Sequence, residues 1–222
     1  MQSLRGKEAK ERFFKDYTDI KVLDYAVVLN GNSKKNQCGG KLTDKYYRFS
    51  AICKKTNKKE YFFLGYDCGK QIINRLNITY NIRLFNPLLS TNQQQYNKNT
   101  TNNANKEADS TPEMTPLEYE LFCLIHLMCE GIGFKQTDII DNIKFKLLNN
   151  PHKEPHPGDF EALNTILEKW HTSIPEIIEK LQNNNNKLKK FDFTKSENYL
   201  KEYHAKQKHI NKKILFCVKY GD

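Results

Sequence analysis

The chain has 222 residues, of which 38% are hydrophobic and 28% are charged, with a mean hydropathy of -0.78. This length suffices for one large or two small domains, and no run of about 18 apolar residues is present that would predict a membrane-spanning helix. The N-terminal sequence MQSLRGKEAKER lacks the apolar core of a secretory signal. We therefore expect a cytoplasmic protein with no membrane partner, whose six cysteines are reduced thiols.

Positive charge is concentrated in the N-terminal part of the chain. Residues 1–86 carry 18 Lys and Arg against 8 Asp and Glu, a net charge of +10, whereas residues 87–222 carry 18 of each kind. All five arginines also precede residue 87. A uniform lysine-rich composition would charge both parts alike, so the asymmetry favours a phosphate polyanion as the partner of the N-terminal part.

The first part of the chain alternates helix and strand signals. Residues 7–17 predict a short helix. Residues 20–29 (IKVLDYAVVL) predict a largely buried strand, because β-branched and aromatic residues dominate a segment of strand length. Residues 46–53 and 60–64 predict two further strands joined by a basic turn, and Asp67 is the predicted N-cap of a helix that follows them.

Alternation along the strand 46–53 separates its side chains into two faces. Tyr47 and Phe49 share one face, whereas Tyr46 and Arg48 share the other, so an aromatic ring and a cation lie side by side. Cations are expected to contact phosphates, and either tyrosine is available to stack on a base. The predicted nucleic-acid-binding residues are Lys34, Lys35, Tyr46, Tyr47, Arg48, Lys55, Lys58, Lys59 and Lys70.

Residues 37–76 combine a Cys-Gly-Gly elbow, two aromatic strands joined by a basic turn, and Gly-Tyr-Asp-Cys leading into a helix. This order resembles the treble-clef and zinc-ribbon-like modules of bacterial and phage proteins, whose pattern is C-x-x-C-G, an aromatic hairpin and G-x-x-C. The resemblance implies a treble-clef-like domain with zinc as cofactor and with Cys38 and Cys68 as metal ligands. Because Lys35 and Lys41 flank Cys38 where the pattern wants a second cysteine, the remaining ligands must come from outside the motif. The alternative is that both cysteines pack as plain thiols.

A segment almost without apolar residues divides the chain. Residues 89–113 are dominated by Asn, Gln and Thr and predict a flexible linker between a basic treble-clef-like domain at 1–88 and a helical domain at 114–222. A capping-box pattern at Thr115 and apolar residues at helical spacing then predict four or five short amphipathic helices. The predicted fold class is α+β, a small treble-clef-like β-hairpin domain followed by a helical bundle.

Catalytic patterns are sparse. His126 lies in an apolar helical stretch with Glu130 one turn later, but a lone histidine on an apolar face is more often a core residue. The sequence contains no Gly-rich phosphate loop, no nucleophile elbow and no paired aspartates of nuclease type. An HNH-type nuclease built on a treble clef would place a histidine at the hairpin, and no histidine precedes His126. We therefore predict no catalytic residues and rank an enzyme third.

The leading hypothesis is a non-catalytic nucleic-acid-binding protein that uses its basic N-terminal domain, with residues 114–222 available for a protein partner. The alternative is a protein-binding inhibitor or adaptor of phage or mobile-element type, whose basic face docks on an acidic protein surface. Salt dependence discriminates between them, because phosphate contacts give a steep slope of affinity against salt on DNA or RNA.

Overall fold

The structure is a computed structural model that describes residues 3–78, 82–89, 114–132, 138–150, 152–207 and 212–216. Within them the chain forms a four-stranded sheet and seven helices, so the predicted α+β class is confirmed. The predicted linker lies outside the described residues except for its first residue, Leu89. The division into two separate domains stays a prediction.

The N-terminal part forms the sheet and two helices that cover it. Its elements are α1 (Lys7–Asp16), β1 (Tyr17–Val27), β2 (Lys45–Cys53), β3 (Lys59–Gly65), α2 (Tyr66–Arg75) and β4 (Leu84–Phe85). The strand order is β3-β2-β1-β4; β1 is antiparallel to β2, β2 to β3, and the short β4 is parallel to β1. Asp67 lies inside α2, whose N-cap is Gly65, so the predicted cap is wrong.

The two faces of the sheet bury different kinds of side chain. On the first face, Phe49 and Phe62 stack at 5.2 Å between ring centroids, and Phe13 of α1 and Ile72 of α2 cover them. Gly69 of α2 lies against Tyr47, where a Cβ atom would overlap the tyrosine ring. The absence of a side chain at this glycine therefore lets the helix approach the sheet closely.

The helical part packs around α3. Its elements are α3 (Pro116–Gly131), α4 (Asp138–Asn149), α5 (Pro157–Lys169), α6 (Ile174–Asn183) and α7 (Thr194–Lys206). The predicted capping box at Thr115 is confirmed, since its hydroxyl accepts from the Glu118 amide and the Glu118 carboxylate accepts from the Thr115 amide. Every residue from Glu120 to Gly131 is buried, which places α3 at the centre of the bundle.

The second face of the sheet and the bundle share one hydrophobic core. Ala26, Tyr46 and Phe85 of the sheet belong to the same buried cluster as Leu124 and Ile125 of α3. The molecule is therefore layered, with α1 and α2 on one side of the sheet and the bundle on the other. None of the helices that the structure describes is both long and apolar enough to cross a lipid bilayer.

Candidate functional site

Charged side chains lie between the second face of the sheet and the bundle, where apolar packing is usual. Arg48 of β2 is 0% exposed. Its Nε donates to the Asp24 carboxylate on β1, and its Nη2 donates to Asp141 Oδ1 on α4 at 2.8 Å. Burial opposes ionisation of Arg48, but the carboxylates of Asp24 and Asp141 outweigh it and raise the pKa of the guanidinium. The arginine thus stays charged and joins the sheet to the bundle.

Two side chains of the bundle complete the surroundings of Asp24. Lys144 Nζ donates to Asp24 and lies 3.1 Å from Cys129 Sγ, whereas His126 Nε2 lies 3.2 Å from Asp24 Oδ1. Burial alone would raise the pKa of Asp24, but Arg48 and Lys144 outweigh it and hold that pKa well below its usual value. Burial lowers the pKa of His126, against the opposing pull of the Asp24 carboxylate.

A second carboxylate, Glu130, organises the other end of this cluster. It accepts hydrogen bonds from Tyr46 Oη, from Lys34 Nζ at 2.9 Å and from Asn32 Nδ2 at 2.9 Å. Burial and the negative charge of Glu130 raise the pKa of Tyr46 well above its usual value. We call the set the buried ion cluster: Asp24, Lys34, Tyr46, Arg48, His126, Glu130, Asp141 and Lys144.

The end of the buried ion cluster at Asp24 offers no room for a substrate. The cavity that Asp24, His126 and Lys144 help to line has a volume of about 10 Å³, at most the space of one water molecule. His126 contacts Asp24, and its Nδ1 lies 2.8 Å from the Phe122 carbonyl oxygen, which gives it a core role. The cluster therefore holds the molecule together rather than presenting reactive groups to solvent.

Four of the nine predicted nucleic-acid-binding side chains are in the interior and need correction. Lys34, Tyr46 and Arg48 belong to the buried ion cluster, and Tyr47 is 6% exposed and packs in the core beneath α2. A buried side chain cannot touch a phosphate or a base in this conformation, so we withdraw these four from the interface. Tyr46, Tyr47 and Arg48 are buried because helices cover both faces of β2, whereas Lys34 lies in the loop before β2 and donates to Glu130.

The other five predicted lysines reach the surface in different places. Lys35, Lys55, Lys58 and Lys70 are exposed. Lys59 donates to Asp138 Oδ1 of α4 at 3.0 Å, so it belongs to the contact between the hairpin and the bundle. Lys55, Lys58 and Lys59 belong to the hairpin of β2 and β3, whereas Lys35 precedes β2 and Lys70 lies in α2. An interface is therefore expected where some of them meet other cations.

Such a place lies between α1 and the turn that joins β2 to β3. A groove of about 650 Å³ opens there, and its charged lining is Arg12, Lys15, Asp16, Lys54 and Lys55, with Phe13 and Tyr17 among its other lining residues. All four cations are exposed. We call it the basic groove. Arg12 and Lys15 were missed as site residues, because a charge on the outer side of a predicted helix carries no signal of what packs beside it.

The turn is fixed against α1 by backbone contacts. The Lys54 amide donates to the Asp16 carbonyl oxygen at 2.8 Å, and Lys54 Nζ donates to the Lys15 carbonyl oxygen at 2.8 Å. These bonds hold the two cationic walls of the basic groove at a set separation. The groove is thus formed before any ligand arrives, which reduces the entropy cost of binding.

The structure brings the two predicted metal ligands together. Cys38 lies in the elbow after Gln37, whose amide donates to the Phe63 carbonyl oxygen at 2.8 Å, and Cys68 lies in the first turn of α2. Burial, followed by a hydrogen bond with the Cys68 thiol, raises the pKa of Cys38 to about 12. Two thiols supply half of a tetrahedral zinc site.

Across the described part of the chain, no group of three or more His, Cys, Asp or Glu side chains could hold a metal ion. The described donors around Cys38 and Cys68 therefore do not fit a complete zinc site, and the treble-clef resemblance and its zinc stay predictions. If these predictions hold, the purified protein contains about one zinc per chain and the Cys38→Ser variant contains none. Elemental analysis of the two proteins tests them.

Comparison with known proteins identifies a family whose model matches most of the chain. A family model described as "uncharacterised conserved protein UCP028583" matches residues 3–209. The chain belongs to this family. The match includes the sheet, the basic groove, the buried ion cluster and α3 to α7, so the family comprises both parts of the molecule. No curated protein and no solved structure matches the chain.

Proposed function

We propose that this protein binds nucleic acid without catalysing a reaction, and that the basic groove contacts the phosphates. The observation that carries the proposal is the lining of the groove, in which Arg12, Lys15, Lys54 and Lys55 face a single carboxylate, Asp16. The groove lies in the part of the chain whose net charge is +10. Cations along such a groove release condensed counterions when they replace them on a phosphate backbone.

The layout of the molecule supports this assignment. The buried ion cluster has its charges paired inside the fold, so it adds little to the field outside. The exposed lysines Lys55 and Lys58 of the turn extend the positive charge of the groove towards solvent. In our proposal helices α3 to α7 support the sheet from the opposite side, and their outer surface is available to a protein partner.

A triple substitution in the basic groove tests the proposal. In Arg12→Ala/Lys15→Ala/Lys55→Ala, affinity for an oligonucleotide falls, and the slope of log affinity against log salt becomes shallower by about 0.7 to 0.9 per lost phosphate contact. Stability changes little, because substitutions of exposed side chains cost within about 0.5 kcal/mol each. Lys59 is left unchanged, since its ammonium already pairs with the Asp138 carboxylate.

The matched control removes three exposed lysines from the helical part, Lys187→Ala/Lys195→Ala/Lys206→Ala. It changes the net charge by the same amount and leaves the salt slope close to that of the unchanged protein. Equal effects of the two triple variants would show that net charge alone, and not the basic groove, attracts nucleic acid. An unchanged slope of log affinity against log salt in the groove variant would favour the alternative hypothesis, in which the basic face docks on an acidic protein surface.

A further inference from the structure

Three tyrosines gather at the end of the sheet distant from the basic groove. Tyr25 of β1 and Tyr47 of β2 stack with 4.3 Å between ring centroids and 13° between ring planes. Tyr66, the first residue of α2, lies 6.1 Å from each of them, at 32° to Tyr25 and 22° to Tyr47. We call this set the tyrosine cluster. Because Tyr66 is equally distant from two rings that are themselves only 4.3 Å apart, it lies beside the stack of Tyr25 and Tyr47.

The exposed member of the cluster is Tyr66. Its side chain is among the exposed large hydrophobic residues, at 40%, whereas the neighbouring Tyr47 is 6% exposed. Lys70 follows one turn later, with Nζ 3.5 Å from the Tyr66 hydroxyl and 5.7 Å from the ring centroid. The ammonium is thus nearer to the hydroxyl than to the ring centre.

The rings beside Tyr66 are held in fixed positions. Tyr47 is held between β2 and α2, where Gly69 leaves no space for even one added carbon atom against the tyrosine ring. Tyr25 and Tyr47 are also cross-strand partners in the register of β1 and β2. Stacking on Tyr66 thus requires little ordering of the protein, and such preorganisation favours binding.

We propose that Tyr66 is a stacking site for an unpaired nucleobase, with Lys70 beside it for the adjoining phosphate, so that the ligand is a single-stranded nucleic acid. This inference rests on the proposed function and specifies its ligand. In a duplex each base is already stacked on its neighbours, whereas an unpaired base can turn its face to an aromatic side chain.

The position of the tyrosine cluster suits one continuous strand. Tyr47 and Cys53 mark the two ends of β2 nearest to the cluster and to the basic groove, respectively, and six residues of strand separate them by about 20 Å. Both sites lie in the layer formed by α1, α2 and the first face of the sheet. A single strand of several nucleotides spans that distance.

The experiment compares two ligands that differ only in their bases. A short oligothymidylate and an abasic oligonucleotide of the same length carry equal phosphate charge, and fluorescence anisotropy gives the affinity of the full chain for each. The unchanged protein and Tyr66→Phe bind oligothymidylate more tightly than the abasic ligand, since the ring and not the hydroxyl stacks. In Tyr66→Leu the affinity for oligothymidylate falls by about 5- to 100-fold towards the abasic value, as expected for loss of one stacked base.

Tyr119→Leu is the matched control, because Tyr119 is 42% exposed but lies on α3. It leaves both affinities unchanged, and thermal unfolding of all variants confirms that they fold. A Tyr66→Leu protein that still prefers oligothymidylate over the abasic ligand overturns the stacking site, as does equal binding of a duplex and a single strand. Oligouridylate measured beside oligothymidylate then shows whether the unpaired bases come from RNA or DNA.

These experiments distinguish a failure of the proposed function from a failure of the stacking site. Loss of binding to both ligands in the basic-groove variant, together with an unchanged base preference in Tyr66→Leu, retains the groove and removes only the stacking site. A wild-type protein that binds neither ligand removes both proposals.

Discussion

The side chain of Lys144 ends inside the protein, where an unpaired charge is costly. Its ammonium contacts Asp24, which also accepts from Arg48. Breaking a buried ion pair by removing one partner leaves the other charge uncompensated and costs about 3 to 5 kcal/mol. We therefore expect Lys144→Met to lower the free energy of unfolding by about that amount in urea denaturation.

The control for this prediction is an ion pair on the surface. Lys201 pairs with Glu197 one turn away on α7, with 59% of the lysine side chain exposed. Because solvent screens such pairs, Lys201→Met should change the unfolding free energy by no more than about 0.5 kcal/mol. Similar losses of unfolding free energy in Lys144→Met and Lys201→Met would contradict a stabilising role of the buried ion cluster.

The pH dependence of stability has a predicted sign at His126. Its pKa is lowered by burial, so the folded protein binds this proton more weakly than the unfolded chain, in which a histidine titrates near about 6.5. The contribution of His126 to the free energy of unfolding is therefore fully present above that pH. It decreases as pH falls below that value, by at most about 1.4 kcal/mol per pH unit for one proton. The depressed pKa of Asp24 acts in the same direction, but only once pH falls below about 4.

His126→Gln isolates the histidine contribution. The variant is less stable at neutral pH, and its urea midpoint should vary less between about pH 7 and pH 5 than that of the unchanged protein. The measurement is a series of urea denaturations across this range for both proteins. Parallel pH profiles would mean that His126 does not titrate on unfolding.

The position of α2 on the sheet depends on Gly69. An added Cβ would overlap the ring of Tyr47, so the helix or the tyrosine would have to move. Overpacking of this kind costs about 1 to 3 kcal/mol, and we expect Gly69→Ala to be destabilised by that amount in urea denaturation although alanine is the better helix former. Asn74→Ala, at an exposed position of the same helix, should be neutral or slightly stabilising. A stabilised Gly69→Ala would contradict the close packing.

Alternation along β2 predicts its two faces correctly, because a strand with both faces covered still has a period of two. The start of β1 is predicted three residues late, at 20 instead of Tyr17. Register shifts between Thr18 and Lys21 and between Val22 and Asp24 interrupt its pairing, and no residue pattern marks them. The start of α2 is also misplaced, since Gly65 and not Asp67 is its N-cap. Cap positions depend on the backbone path of the preceding loop, which composition does not determine.

Contacts between distant parts of the chain account for the errors in the predicted site. Arg48 and Asp141 are separated by 93 residues, and Lys34 and Glu130 by 96. Sequence patterns report the local environment of a residue, so a lysine or arginine without a local partner is assigned to the surface by default. The charge asymmetry between the two parts of the chain does not depend on which side chains contact each other. It therefore favours a phosphate polyanion as the binding partner both from the sequence and from the fold.

The whole molecule should remain assembled when the chain is cut between its two parts. The Asn, Gln and Thr composition of 90–113 predicts that proteases cut there first. The shared core and the ion pairs of Arg48 with Asp141 and Lys144 with Asp24 join the resulting fragments. We expect two bands on a denaturing gel and a single peak on size-exclusion chromatography. Separate elution of the fragments would show that each part folds without the other.

The central claim is that the basic groove binds phosphates, and a salt titration of the unchanged protein tests it most directly. Binding of a single-stranded oligonucleotide is measured by anisotropy over a range of salt concentrations, with polyglutamate as a polyanion that has no phosphates. Contacts from Arg12, Lys15, Lys54 and Lys55 predict a linear decrease of log affinity with log salt, with a slope of about -2 to -3 at roughly 0.7 per contact. We also expect polyglutamate to compete poorly with the oligonucleotide. A slope near zero, or tighter binding of polyglutamate than of the oligonucleotide, would contradict it.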